Sequence, residues 1–280
     1  LEQIGVSFLR GYQLALATKD SRELVSQLDL LDAETVGFSY EGAAMGLALL
    51  DLMTPWNKDR WLCFVQGGGA KHVYMAHVGL GWALARLQRW RKGHPRLVDP
   101  LLRWLAVDGY GFHEGYFHWP RFMRDRKLPE RLSGYSRRVF DQGLGRSFWF
   151  VNGADVKRIV STIATFPAAR QEDLWSGVGL ACSYAGGVDA AAVKALSAAA
   201  PAFRKQLAQG ACFAAKTRQR AANPAAHTEA ACRILCGMSA DDAAEVTDIE
   251  LKDLPRDGEL PAYEIWRQRI QAHFSNEVAS

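Results

Sequence analysis

Apolar positions along most of the chain recur at helical spacing. Gly42, Met45, Gly46 and Leu49 fall at i, i+3, i+4 and i+7, which is one stripe of an α-helix. The signals that start and stop helices are also readable. Asp20 with Glu23 three residues later makes a capping box and predicts a helix over Glu23 to Leu31, and Thr54-Pro55 supplies a cap and a first-turn proline for a following segment. Asp189, Pro201 and Ser239 can open later helices in the same way. Gly186-Gly187 stands where a left-handed C-terminal cap falls, and Asn223-Pro224 ends the helix that begins near Pro201. Only Trp61 to Gln66 and Phe148 to Val151 have the dense β-branched or aromatic look of a strand, and both are too short for periodicity to separate from buried helix.

Within this helical pattern one unit repeats: a polar or small residue, a glycine, then a run of small and apolar residues. Its leading glycines are Gly42, Gly79, Gly109, Gly143, Gly177 and Gly210, spaced by 37, 30, 34, 34 and 33 residues. A period near 34 is that of a helix-turn-helix repeat of the tetratricopeptide kind, in which each pair buries its apolar face only by stacking on its neighbours. The full tetratricopeptide signature is not met. Glycine inside a helix costs about 1 kcal/mol against alanine, so a conserved spacing of glycines within one chain calls for an offsetting gain, and close approach of neighbouring helices supplies it. The expected fold is therefore all-α, a tetratricopeptide-like solenoid or superhelix of six to seven stacked helix pairs, forming one domain over residues 1–280.

Composition bounds the function loosely. At 49% hydrophobic and 23% charged residues, the 280-residue chain can bury a sizeable core, and 25 glycines with 9 tryptophans are its one oddity. A net charge of +4, spread without a basic block, argues against a nucleic-acid partner. No apolar stretch approaches a membrane span, and Leu1 to Ala17 lacks the basic and apolar segments of a secretion signal, so no membrane association and a cytoplasmic location are expected. Five irregularly spaced cysteines fit reduced thiols better than a disulfide framework.

Whole segments of the chain resemble a bacterial family with a domain of unknown function. They include Phe8-Leu9-Arg10-Gly11-Tyr12, Gly37 to Met45, and His77-Val78-Gly79-Leu80-Gly81-Trp82-Ala83. Asp108-Gly109-Tyr110-Gly111-Phe112-His113, Phe140 to Ser147 and Leu174 to Ala181 continue the likeness, which runs from about Phe8 to Trp266. Members of that family are encoded among the accessory genes that accompany the iterative polyketide synthase of enediyne antibiotics. The resemblance implies a role in building or processing an enediyne core from a long conjugated polyene. It carries no catalytic residues across.

Familiar catalytic motifs mostly fail on inspection. Gly67-Gly68-Gly69-Ala70-Lys71 imitates a phosphate loop, but His72 stands where Ser or Thr would reach the metal, so a glycine turn between helices is expected. His113 and His118 are five apart, which on a regular helix turns them about 140° away from each other and not onto one face. A metal site assembled from His77, His113 and Glu41 of distant repeats is conceivable, but nothing in the sequence requires it, and no metal is expected. Cys232 and Cys236 read as core. Gly145-Arg146-Ser147-Phe148-Trp149 comes nearest to a nucleophile elbow and ends in Trp instead of a small residue.

What remains is a row of polar positions. The residues preceding the repeat glycines are Glu41, Val78, Asp108, Gln142, Ser176 and Gln209, which stacked repeats align along one surface. In a concave groove with aromatic walls this row would form a small-molecule site. Glu41, Asp108, His77 and His113 are the candidate catalytic residues, with Tyr40, Trp82, Gln142, Arg146 and Trp175 as candidate substrate-binding residues. A buried Glu41 or Asp108 would have its pKa raised by desolvation and could serve as a general acid or base. The competing reading is that these carboxylates cap helices or pair with Arg10, Arg86 or Arg146.

The expected function is binding and processing of a hydrophobic polyene or polyyne intermediate, by isomerisation or cyclisation, with no cofactor. Alternatives are a non-catalytic scaffold or chaperone for the polyketide synthase or another pathway protein, and sequestration of a reactive product; a homo-oligomer is compatible with each. The enzyme and sequestration readings predict a deep closed pocket lined by Tyr40, Glu41, His77, Asp108, Gln142 and Trp175; the scaffold predicts an open groove with those side chains exposed, and their burial only against each other would defeat both.

Overall fold

A computed structural model describes residues 1–54, 56, 59–87 and 99–275. Among these the regular structure is helical, with no strand: α1 (Glu2–Ala17), α2 (Ser21–Asp29), α3 (Val36–Met53), α4 (Arg60–Gln66), α5 (Val73–Arg86), α6 (Arg103–Phe117), α7 (Ser136–Val151), α8 (Val156–Ala164), α9 (Ala168–Ala185), α10 (Ala190–Ala199), α11 (Arg204–Ala221), α12 (Ala226–Leu235), α13 (Ala240–Leu251) and α14 (Ala262–His273). Short 3-10 turns at Ala70–His72 and Pro201–Phe203 and a π turn at Pro120–Arg124 complete them.

The capping residues act where the sequence puts them. The Asp20 carboxylate accepts the backbone N–H groups of Arg22 and Glu23, both at 2.9 Å, and so starts α2 at Ser21, two residues before the predicted start. Asp189 and Ser239 cap α10 and α13 in the same manner. Gly186 and Gly187 take φ of +60° and +88° at the end of α9, a conformation that favours glycine. Thr54 closes α3, its hydroxyl donating to the Leu50 carbonyl, and Pro55 lies outside the described residues. The two strand-like runs are helical: Trp61 to Gln66 lies in α4 and Phe148 to Val151 forms the last turn of α7. Their density of large side chains reflects full burial of Trp61, Phe64, Phe148 and Trp149 in helix packing, and burial does not depend on β geometry.

The repeat appears as a layer of inner helices, α1, α3, α5, α6, α7, α9 and α11, each packed on the next. Glycine sets their spacing. A Cβ built on Gly79, Gly109, Gly143, Gly177 or Gly210 would lie 1.9–2.2 Å from the carbonyl oxygen of Glu41, Val78, Asp108, Gln142 or Ser176 respectively, the residue just before the glycine of the preceding copy. The second glycine of each Gly-x-Gly lies about 200° round the helix and faces the following copy, as Gly111 does on Phe140 and Gly145 on Leu174. Each of α3, α5, α6, α7 and α9 thus meets neighbouring backbone on both flanks. The return segments α8, α10 and α12 pack on one another in an outer layer.

The array curls until its early and late copies meet. Arg218 of α11 donates to the Glu34 carbonyl at 2.7 Å, and the rings of Phe38 (α3) and Tyr184 (α9) stand 5.1 Å apart. α14 lies across the starts of α7 and α9, where Arg267 and Arg138 pair with Asp173 and Glu264 at 2.8–3.1 Å. The concave side is consequently filled, where an open solenoid would present a groove. The main apolar core runs from Ala15 of α1 to Phe274 beyond α14, and Phe38, Met75, Tyr184 and Ala214 form a smaller cluster beside it. No helix among the described residues is long and apolar enough to cross a membrane.

Candidate functional site

Curling brings six inner helices around a narrow apolar cavity of about 50 Å3. Phe38, Met75, Val78, Leu180, Phe213 and Trp266 contribute to its walls, and the partly exposed Tyr74 and Lys216 also border it. Asp108, Arg146, Tyr184 and Thr217 interrupt this lining with polar side chains. Asp108 is fully buried; its carboxylate accepts from the Arg146 guanidinium on one oxygen and from Gln142 Nε2, at 2.8 Å, on the other. Gln142 Nε2 also reaches the Tyr263 hydroxyl of α14 at 3.2 Å, while its own Oε1 is buried without a partner. The Tyr184 hydroxyl is likewise buried and unpartnered, and the Arg218 guanidinium lies over its ring, 4.4 Å from the centroid.

Glu41 stands beside this group without lining the cavity, at 3% exposure. Burial pushes its carboxyl up to about 7; Asp108 reinforces that, while the Arg146 guanidinium and the Trp82 indole oppose it. Arg146 donates directly to Asp108, and Glu41, raised by burial without such a bond, is the group that carries a proton near neutrality. Burial raises the Tyr184 phenol to about 12, so it stays a neutral donor.

The residue before each glycine turns inward because the glycine itself must face the neighbouring backbone, and one residue back is 100° round the helix. That rule brings together Glu41, Asp108 and Gln142, with Arg146 one turn further along α7 and Trp82 against Glu41. The row continues in Ser176 and Gln209, hydrogen-bonded at 2.7 Å, where Arg267 of α14 meets it. Of the pairings foreseen for the carboxylates, Asp108 with Arg146 is the one formed.

The other predicted site residues lie apart. Tyr40 faces away from the cavity, donates to Asp29 at 2.6 Å and stacks on His72. The His77 ring meets Trp61 edge-on, with Nδ1 2.7 Å from the Val73 carbonyl, and borders a separate cavity with Asp99 and Arg220. Trp175 stacks on Phe203. His113 packs against Trp82 on the side remote from this cavity and has Glu114 as its polar neighbour, at 3.3 Å. His77 and His113 therefore do not join the acids, because each occupies a different angular position in its copy.

Tyr184 and the α14 residues Tyr263 and Trp266 went unforeseen. No local motif marks them; they reach the cavity only through curling of the array. All five cysteines are free thiols, with Cys232 and Cys236 buried in the core. The triple glycine is a turn leading into the 3-10 segment Ala70–His72.

Fold and site together define an all-α helical-repeat protein with a narrow, partly open apolar cavity and a buried acid–guanidinium–phenol group in its wall. The chain belongs to the family described as Protein of unknown function (DUF1702), whose model matches residues 1–274. No curated protein and no solved structure matches it.

Proposed function

We propose that this protein acts in enediyne natural-product biosynthesis, taking a slender conjugated hydrocarbon chain into its interior cavity and isomerising or cyclising it. The observation that supports this reading is the apolar lining of the cavity, interrupted by Asp108, Arg146, Tyr184 and Thr217; at about 50 Å3 it takes a segment of such a chain, with the rest passing out by the partly exposed Tyr74 and Lys216. Such a lining suits an unbranched apolar ligand and excludes bulky or highly charged ones. Glu41, poised near neutrality but set behind the lining, exchanges the proton through the Tyr184 hydroxyl, which lines the cavity and lies over Gly37, one turn before Glu41; a double-bond shift adds a proton at one carbon of the polyene and removes one at another, so it needs no oxidant. Asp108 fixes Arg146, and Arg146 holds the charge of whichever group is deprotonated.

The scaffold alternative is less well supported, since Glu41, Asp108 and Gln142 are at most 3% exposed and offer no open face to a protein partner. The test is to delete the gene in an enediyne producer, identify the polyene that accumulates, and add back purified protein. Conversion of that polyene, lost in Glu41→Gln, is the expected result. Stoichiometric binding without conversion would overturn catalysis.

A further inference from the structure

The strongest unassigned cluster lies at the far end of α6. His113, Glu114 and His118 each place a ligand atom within 4.8 Å of the others. The regular-helix argument separates the two histidines, but α6 stops at Phe117. His118 is its C-cap, with φ −122° and ψ 34°, and this unwound residue swings its ring back toward Glu114. The Glu114 carboxylate then sits between two imidazoles, Oε1 3.3 Å from His113 Nδ1 and Oε2 3.4 Å from His118 Nδ1. Donors held tetrahedrally at about 2.0–2.2 Å from one ion stand about 3.4 Å apart, so each imidazole–carboxylate spacing is that of two ligands on one ion, and the half-exposed His118 ring has only to close the remaining spacing, within 4.8 Å, to complete the set.

Two further observations point the same way. His113 is 1% exposed, and packing against Trp82 and Phe117 fixes its ring in place with Nδ1 toward Glu114. Beside the cluster opens a cleft of about 520 Å3 whose lining includes Arg86, Arg121 and Arg131. Three guanidinium groups oppose a bare cation and favour an anion bound on it. Two imidazoles and one carboxylate select a first-row transition ion over magnesium or calcium.

We propose that His113, Glu114 and His118 bind one divalent transition ion of the Zn2+, Fe2+ or Co2+ class, with coordination positions open to the arginine-lined cleft for an anionic ligand. The cluster shares no lining residue with the interior cavity, so the proposal stands independently of the enediyne reading.

Co2+ titration of the full chain tests it. One equivalent should produce visible d–d absorption, Zn2+ should displace it, and azide should shift the bands. His118→Ala removes a half-exposed ligand and leaves the buried packing intact, so it should weaken Co2+ binding at least tenfold with unchanged circular dichroism. Glu114→Gln should do the same. Absence of stoichiometric Co2+ binding by the wild-type protein, equal affinity in His118→Ala, or bands insensitive to azide would overturn the proposal.

Discussion

Replacing Gly143 by alanine tests the glycine spacing that organises the whole molecule. The added Cβ would lie 1.9 Å from the Asp108 carbonyl oxygen and 2.9 Å from the Phe112 backbone nitrogen. An ordinary contact there is about 3.3 Å, so α7 must move away from α6 by more than about 1 Å. α7 has no slack on its other flank, because a Cβ at Gly145 would lie 2.1 Å from the Leu174 carbonyl. Overpacking against immobile backbone costs about 1–3 kcal/mol, and here the upper end applies. Intrinsic helix propensity works in the opposite direction by up to about 1 kcal/mol. Gly5→Ala isolates that second effect, since Gly5 lies in α1 with nothing within 4 Å of the added Cβ. Urea and thermal unfolding should show Gly5→Ala stabilised by up to about 1 kcal/mol. Gly143→Ala should lose about 2–3 kcal/mol, with its thermal midpoint lower by roughly 3–5 °C. A Gly143→Ala protein as stable as the wild type, with Gly5→Ala behaving as stated, would refute the close-packing argument.

Three other outcomes follow from the same geometry. Glu41 has a folded pKa of about 7 against an ordinary 4.5, so the native chain keeps a proton that the unfolded chain releases; stability falls as pH rises between those values and levels off above them. Glu41→Gln should flatten that slope, worth up to about 3 kcal/mol, in unfolding measured from pH 4.5 to 8. Arg267→Ala leaves Asp173 and Glu264, each at most 2% exposed, with Arg138 as their remaining guanidinium, and should cost about 3–5 kcal/mol by urea unfolding. Asp20→Ala removes the cap of α2 and should cost about 1 kcal/mol, with faster amide exchange at Arg22 and Glu23.

Much of the architecture was legible because its cause is local. Gly-x-Gly at a period near 34 encodes helix flanks that must touch backbone, and the same constraint turns the preceding residue inward, so Glu41, Asp108 and Gln142 could be picked from spacing alone. Caps such as Asp20, Asp189 and Ser239 were legible for the same reason. What could not be read depends on curvature. A stack of helix pairs can stay open or close, and closure depends on small rotations summed over the copies, so the contacts of Arg218 with Glu34 and of α14 with α7 and α9 have no local signature. Tyr184 and Trp266 enter the site only through that closure. Tyr40, His77 and Trp175 were attractive as residue types near the repeats, yet they sit at angular positions that face other helices. His118 was set aside by the geometry of a regular helix, which ends one residue before it.

The central claim is that the interior cavity holds a slender conjugated chain, and fluorescence titration with a conjugated tetraene fatty acid tests it most directly. The account predicts saturable one-to-one binding with a rise in polyene emission. It also predicts loss of that binding in Ala185→Leu, which fills the cavity from a half-buried position on α9 while the circular dichroism stays that of the wild type. No binding by the wild-type protein, or equal binding by Ala185→Leu, would contradict it.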